Sequence, residues 1–359
     1  MLIFNNMCLS PILIQNKSRM YRGKIDTLTA LHDSTSQYIY VNCGICPQCV
    51  RNKQNYLIQR VQLECMTNYV FFATFTYSDD MLPFIDVGDF RHYYADVSDF
   101  QKMIKRCRKR DEWVINKYLY VTEYGGKRHR PHFHALFFVP KDNNTHSVFD
   151  PIAIESYLSD MFKSEWKRNI GSTRVPIYKP LSSFHTLYTS QGPKSPFNFH
   201  YVNPSLTSGS ESDVGFYVTK YCCKFDKWIQ DKRTALYYNL EPDEYDSVWK
   251  LLRPRLEYSH GFGLSDVARD YVRKCIDEYS SKFDFPVFVN PCNGNTFPMS
   301  PYLFNKYGKL SDKYDFFYKS VNPDSPTDSF RYSDINYLSY QNKIDKFERQ
   351  NKLITQKNT

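Results

Sequence analysis

The run His129-Arg130-Pro131-His132-Phe133-His134-Ala135-Leu136-Phe137-Phe138 constrains the fold more than any other stretch of this chain. Two histidines alternate around one bulky apolar residue, and an apolar run, Ala135 to Val139, follows them. A run rich in aromatic and β-branched residues, Tyr118 to Tyr124, precedes them across a basic turn that holds Gly125-Gly126. That pattern predicts two strands joined as a hairpin. Side chains at i and i+2 of a strand face the same side. His132 and His134 therefore stand together while Phe133 points the other way. Two imidazoles on one strand face make a metal-ligand pair, for which a carboxylate is the natural third donor. Glu123, at the end of the first strand, is placed to supply it across the hairpin. From the histidine pair alone, two polar residues on a solvated face fit equally well.

Downstream lies Tyr217-Val218-Thr219-Lys220-Tyr221-Cys222-Cys223-Lys224. Ser212 or Asp213 can cap a helix here, predicted over about 212–231. Tyr217, Tyr221 and Lys224 then share one helical face, with Lys220 beside them. Two phenols one turn apart, each followed three residues on by a lysine, suit a pair of tyrosine nucleophiles. Taken alone, the pattern reads more simply as an aromatic core face with lysine stems reaching to solvent.

Together, and in this order, the two elements resemble the HUH single-strand endonucleases. Histidines before tyrosines is the order of the rolling-circle replication initiators, whereas in conjugative relaxases the tyrosine comes first. The doubled Tyr-x-x-Lys of residues 217–224 resembles the initiators of the Microviridae, small single-stranded DNA phages. Cys8-Leu9-Ser10-Pro11, followed by Cys43-Gly44-Ile45-Cys46-Pro47-Gln48-Cys49, is similar to the opening of the gokushovirus branch. Tyr69 to Tyr77, ending Thr74-Phe75-Thr76-Tyr77, resembles the first HUH motif, a strand lying beside the histidine strand with its end near the site. Tyr258-Ser259-His260-Gly261-Phe262-Gly263 departs from the family's Ser-Arg-x-Pro-Gly-x-Gly segment by lacking its Arg and Pro.

The resemblance covers roughly residues 7–265. It implies an RRM-like antiparallel sheet with one Mg²⁺ or Mn²⁺ held by Glu123, His132 and His134. It implies Tyr217 and Tyr221 as nucleophiles aided by Lys220 and Lys224. The activity it implies is nicking of single-stranded or replicative-form phage DNA at the origin through a 5′-phosphotyrosine adduct, then rejoining. The partners implied are a host helicase and polymerase, in the host bacterial cytoplasm.

Composition is permissive. A net charge of +9 suits phosphates, and 30 tyrosines with 27 phenylalanines can stack bases, although such a bias also follows from an AT-rich coding sequence. No apolar run approaches the ~20 residues that span a bilayer. The N-terminus lacks a basic segment followed by an apolar one, so no secretory signal is expected. A soluble protein in a reducing cytosol follows, where the ten cysteines serve as thiols or metal ligands. Cys43, Cys46 and Cys49, joined by Cys8, supply four thiolates for a closed tetrahedral Zn²⁺ site. Such a site can fold a segment with little core of its own. Reduced, unliganded thiols are the alternative.

The expected fold class is α+β: an HUH core of antiparallel sheet with helices packed on it, plus an N-terminal Cys-rich module. Residues 1–66 form that module and its helix, 67–235 the endonuclease domain, and 236–359 a C-terminal region with a polar tail. Strands are expected over about 69–77, 117–124 and 132–139, with a short one at 197–202. Helices are expected over about 48–68, 97–110, 152–168, 241–252 and 265–282. A hairpin is expected around Asn293-Gly294. The second helix carries Lys102, Lys105, Arg106, Arg108, Lys109 and Arg110, either for DNA backbone contacts or as a solvated face. Residues 179–211 read as a long loop. No P-loop or Rossmann glycine pattern is present. Two other readings compete with the nuclease. One is a non-catalytic zinc-knuckle protein that binds single-stranded nucleic acid. The other is a mononuclear metal hydrolase that needs no tyrosine.

Overall fold

Apolar residues occupy both faces of β1 (Asn68–Phe75), β2 (Lys117–Tyr124) and β3 (Pro131–Pro140) over most of their length, so these strands are built for burial on two sides. A computed structural model of the chain describes residues 12–15, 38–41, 47–110, 114–126, 128–141, 150–182, 187–189, 192–194, 197–202, 227–279 and 286–308. The described residues fall in two compact units. One lies within Met1–Tyr56, Arg273–Phe288 and Pro298–Thr359, the other within Leu57–Val272 and Val289–Phe297. In the first, Ile12–Gln15 pairs antiparallel with Tyr38–Val41. The second holds the candidate site.

Its centre is a five-stranded antiparallel sheet in the order β4-β1-β3-β2-β5, where β4 is Phe197–Val202 and β5 is Leu256–Tyr258. Helix α1 is Pro47–Cys65, α2 is Val97–Cys107 and α3 is Pro151–Glu165. From β1 to β4 the chain runs β-α-β-β-α-β, with β3 inserted between β1 and β2. That is the split βαβ arrangement.

One sheet face carries Phe71, Ala73, Phe75, Tyr120, Phe133, Ala135 and Phe137, packed with α2 and α3. Asp96 caps α2 by accepting from the Ser98 N–H at 2.9 Å. Phe100, Met103, Ile104 and Cys107 then recur at helical spacing, and all are buried. Asp150 caps α3 in the same way. Phe75 sits among Phe100, Phe162 and Trp166, with ring centroids 5.6, 5.7 and 5.1 Å away. Each such ring contributes roughly 1.5–3 kcal/mol by leaving water.

The opposite face is divided. Val70, Phe72, Leu119, Leu136 and Phe138 pack beneath Leu57, Val61 and Cys65 of α1 and beneath Phe262. Further along the same face stand Thr74, Glu123, His132 and His134. The segment 258–263, whose role the sequence left open, is structural here. Phe262 is fully buried, and its carbonyl accepts from Arg60 Nε at 2.8 Å. Gly263 has φ +65° and its N–H donates to Glu64 Oε1 at 2.5 Å. A Cβ there would meet Arg60 Cβ at 2.7 Å and Arg60 Cα at 2.9 Å.

The strands fall where the sequence placed them, and β4 matches its expected bounds. Two helices end sooner than expected, at Cys107 and Glu165. The second stops because the Trp166 indole is drawn into the core, donating from Nε1 to Thr76 O at 2.8 Å. Beyond it Lys167–Asn169 pairs with Tyr178–Pro180, a ribbon the sequence reading did not anticipate. Residues 212–226 of the expected tyrosine helix lie outside the described residues. Helix α4, Lys227–Asn239, runs on past the expected end near 231. Of the four cysteines proposed for zinc, Cys8, Cys43 and Cys46 lie outside the described residues; Cys49 is buried in α1.

Gly263→Ala should lower unfolding stability by on the order of 1–3 kcal/mol, from a left-handed backbone and a forced contact with Arg60. Thermal unfolding measures it. An unchanged midpoint would mean that the 258–263 segment does not hold the sheet to α1.

Candidate metal centre

β2 and β3 are paired so that Glu123 lies directly opposite His132, and Thr74 of β1 lies opposite His134. Directly opposed side chains start about 4.5–5.5 Å apart at Cβ and share a face. The two Nε2 atoms of His132 and His134 are 3.1 Å apart. Glu123 Oε2 lies 3.2 Å from His134 Nε2 and 3.8 Å from His132 Nε2. One ligand atom from each of the three residues falls within 4.8 Å of the others, and no other group among the described residues converges in this way. Glu123 and His134 are buried, and His132 is half-buried.

The remaining ring nitrogens have assigned tasks. His132 Nδ1 lies 3.0 Å from Arg130 O, which can only accept, so Nδ1 carries the proton and Nε2 presents a lone pair. His134 Nδ1 lies 3.0 Å from Thr74 Oγ1, which accepts from it when Nδ1 is protonated. Phe72 stacks on the His134 ring with centroids 5.3 Å apart. A proton on His134 Nε2 can serve the carboxylate or His132, but not both at once. A cation satisfies all three donors together. Hydrogen-bonded outer nitrogens are the usual way metal-binding imidazoles are oriented. Two donors ~2.1 Å from one ion at right angles are about 3.0 Å apart, close to the observed spacing. The residues fit a divalent ion.

The turn before His132 is held from outside. His129 adopts φ +48°, and its N–H donates to Gly125 O at 2.8 Å. The sequence reading treated His129 chiefly as a surface residue. Instead its ring lies flat on Trp228 of α4, with centroids 4.2 Å apart and planes 2° from parallel. Trp228 also meets Tyr124, and Lys232 Nζ lies 4.6 Å from its ring centroid. Burial lowers the Lys232 ammonium below the ordinary lysine range, and its Nζ lies 2.8 Å from His92 Nδ1. Arg130 binds Asp79 and Tyr77 O, which joins the turn to the end of β1.

Sequence reasoning found Glu123, His132 and His134, and the structure brings them together. Thr74 was implied only as part of the first strand motif. Arg130 and Trp228 were missed. A tryptophan just after the tyrosine segment was the one available signal, and sequence periodicity cannot pair it with residue 129. Tyr217, Lys220, Tyr221 and Lys224 lie outside the described residues. The basic helix α2 lies on the sheet face away from the histidines, and two of its cations are committed internally. Arg106 and Arg110 pair with Glu165 at 3.1 and 2.6 Å.

Comparisons with known proteins agree with this geometry. Residues 70–226 match the model of a protein family described as Replication-associated protein ORF2. That region encloses Glu123, both histidines and both tyrosines. The chain is also similar to the Replication-associated protein ORF2 of Spiroplasma virus 4, 26% identical over 194 residues. That likeness covers 51% of this chain and 60% of the relative, so the chain spans about three fifths of that protein's length. No solved structure matches the chain. Among the described residues no helix is long and apolar enough to cross a membrane.

Glu123→Gln and His132→Ala should each abolish measurable Mn²⁺ binding in calorimetry. Thr74→Val, which keeps the side-chain shape, should weaken it about 10–100-fold. Equal affinity in Thr74→Val would remove the hydroxyl from the role of orienting His134.

Proposed function

We propose that this chain is a phage replication initiator that nicks single-stranded DNA with a tyrosine nucleophile. The carrying observation is the convergence of Glu123, His132 and His134 on one point at the open end of a sheet face. The replication-associated family match over the same residues and over Tyr217 and Tyr221 supports it. Chain connectivity supports it further. Tyr221 is seven residues before Trp228, whose ring stacks on His129 beside the site. Seven residues span at most about 25 Å.

A divalent ion held by Glu123, His132 and His134, Mg²⁺ or Mn²⁺ in this reading, supplies a Lewis acid that polarises a phosphoryl oxygen. The phenol oxygen of Tyr217 or Tyr221 attacks phosphorus and loses its proton. The bond from phosphorus to the 3′-oxygen breaks, and that oxygen leaves as a hydroxyl. One phosphoester replaces another, so no nucleotide cofactor is needed. Lys220 and Lys224 favour the phenolate, whose reference pKa is about 10, or hold a flanking phosphate. The 3′-hydroxyl is a primer for a host polymerase. The second tyrosine cleaves the regenerated origin, and the released 3′-end attacks the first adduct to close a circle. Alternation explains two nucleophiles on one helical face. The setting is the cytoplasm of a bacterial host, with a Microviridae-like replication cycle. Cys8, Cys43, Cys46 and Cys49 form a structural Zn²⁺ site in the same reading.

The test incubates purified protein with end-labelled single-stranded DNA and Mn²⁺, and reads label transfer to protein on a denaturing gel. Wild type should carry label, and each single tyrosine variant should retain part of it. Tyr217→Phe/Tyr221→Phe and His132→Ala should lose all of it. An absence of adduct across a tiled phage genome, with DNA binding intact, would leave a non-catalytic binding protein. Metal-dependent cleavage unaffected by the double tyrosine change would point to a hydrolase.

A further inference from the structure

Residues 167–180 form a projecting ribbon that the mechanism above does not use. Lys167–Asn169 pairs antiparallel with Tyr178–Pro180, and from Asn169 to Pro180 every residue but Gly171 is exposed. Its tip is apolar: Ile170, Val175 and Ile177 are 58, 66 and 56% exposed. Large aliphatic side chains held in water at one protruding point mark a contact surface.

The tip is nonetheless well built. Asn169 Oδ1 accepts from the N–H groups of Gly171 and Ile177, at 3.0 and 2.9 Å. The Ile170 N–H donates to Ile177 O at 2.8 Å, and the Val175 N–H to Ser172 Oγ at 3.0 Å. Gly171 is required, because a Cβ there would meet Val175 O at 2.5 Å and Ile177 N at 2.8 Å. The turn is thus braced to hold its aliphatic residues outward.

Charge selects the partner. Residues 166–182 contain Lys167, Arg168, Arg174 and Lys179 and no acidic residue. Three of the four brace the base of the ribbon: Lys167 on Glu165, Arg168 on Asp99 and Lys179 on Asp80. The Lys179 pair is exposed on both sides and so worth little, which leaves its cation available to a phosphate. Arg174 stands at the exposed tip.

The base is rooted beside the metal centre. The Ser78 N–H donates to Leu181 O at 2.8 Å, and Asp79, next in the chain, binds Arg130. Arg130 O in turn orients His132. The ribbon therefore rises from the end of the sheet that carries the candidate ligands.

We propose that this ribbon engages the boundary between duplex and single-stranded DNA. Ile170, Val175 and Ile177 abut or part the terminal base pair, and Arg174 and Lys179 hold its phosphates. Apolar wedges that unstack a base step, flanked by cations, are an established means of opening a duplex. The inference deepens the replication reading and rests on it for DNA as substrate.

The test uses a DNA fork with 2-aminopurine in the first base pair, in EDTA so that nothing is cleaved. Wild type should raise the fluorescence as it binds. Ile170→Ser/Val175→Ser/Ile177→Ser should bind the fork but lose the rise, with an unchanged melting temperature. Arg174→Gln/Lys179→Gln should reduce the slope of log affinity against log salt by roughly two. No rise with wild type, or an equal rise with the triple variant, would overturn the proposal. So would a triple variant that loses as much affinity for a fully single-stranded oligonucleotide as for the fork. A fork signal with no tyrosine adduct would sink the nuclease reading and leave the ribbon standing.

Discussion

The pairing of β2 with β3 in a single register is the constraint on which the rest depends. It sets Glu123 against His132 and Val121 against His134. A slip of one residue would turn every side chain of one strand to the other face. His132 and His134 would then enter the aromatic cluster of Phe75, Phe100 and Phe162, at the cost of burying polar groups without partners. The register is held because both faces of β3 are packed. Phe133, Ala135 and Phe137 belong to one core, and Leu136 and Phe138 to the other. The metal-binding geometry is thus a by-product of apolar packing on two sides.

The second face explains why the centre is accessible. Its apolar end is covered by α1 and Phe262, where Arg60, Glu64 and Gly263 join helix to loop. At the other end the same strands change to Thr74, Glu123, His132 and His134. Apolar side chains draw a helix over themselves, and polar ones hold donors for a ligand. One strand face therefore switches from core to site within four residues, between His132 and Leu136.

Around that end the supporting contacts come from distant parts of the chain. Arg130 ties the hairpin turn to the segment after β1, and Trp228 lies flat on His129. The 167–180 ribbon is bonded to that same segment. If the tyrosines act as proposed, the Trp228 stack limits how far their segment can stray from the metal. A catalytic group on a tethered segment reaches its substrate with less loss of freedom than one free to wander.

The sequence by itself determined the β-hairpin, the two-residue spacing of the histidines, the three long strands and the helix caps. Each is local: alternation, apolar run length and capping residues act within about ten residues. It also nominated Glu123, because hairpin geometry links residues close in the chain. Only the tertiary structure decided that β3 lies between β1 and β2, that Thr74 orients His134, and that Trp228 stacks on His129. It also decided that the basic helix lies away from the histidines and that a braced ribbon stands beside them. Those facts depend on contacts between residues far apart in the chain, such as Thr74 with His134 and His129 with Trp228. Such contacts are selected by shape and by the satisfaction of buried polar groups, which leave no period in the sequence.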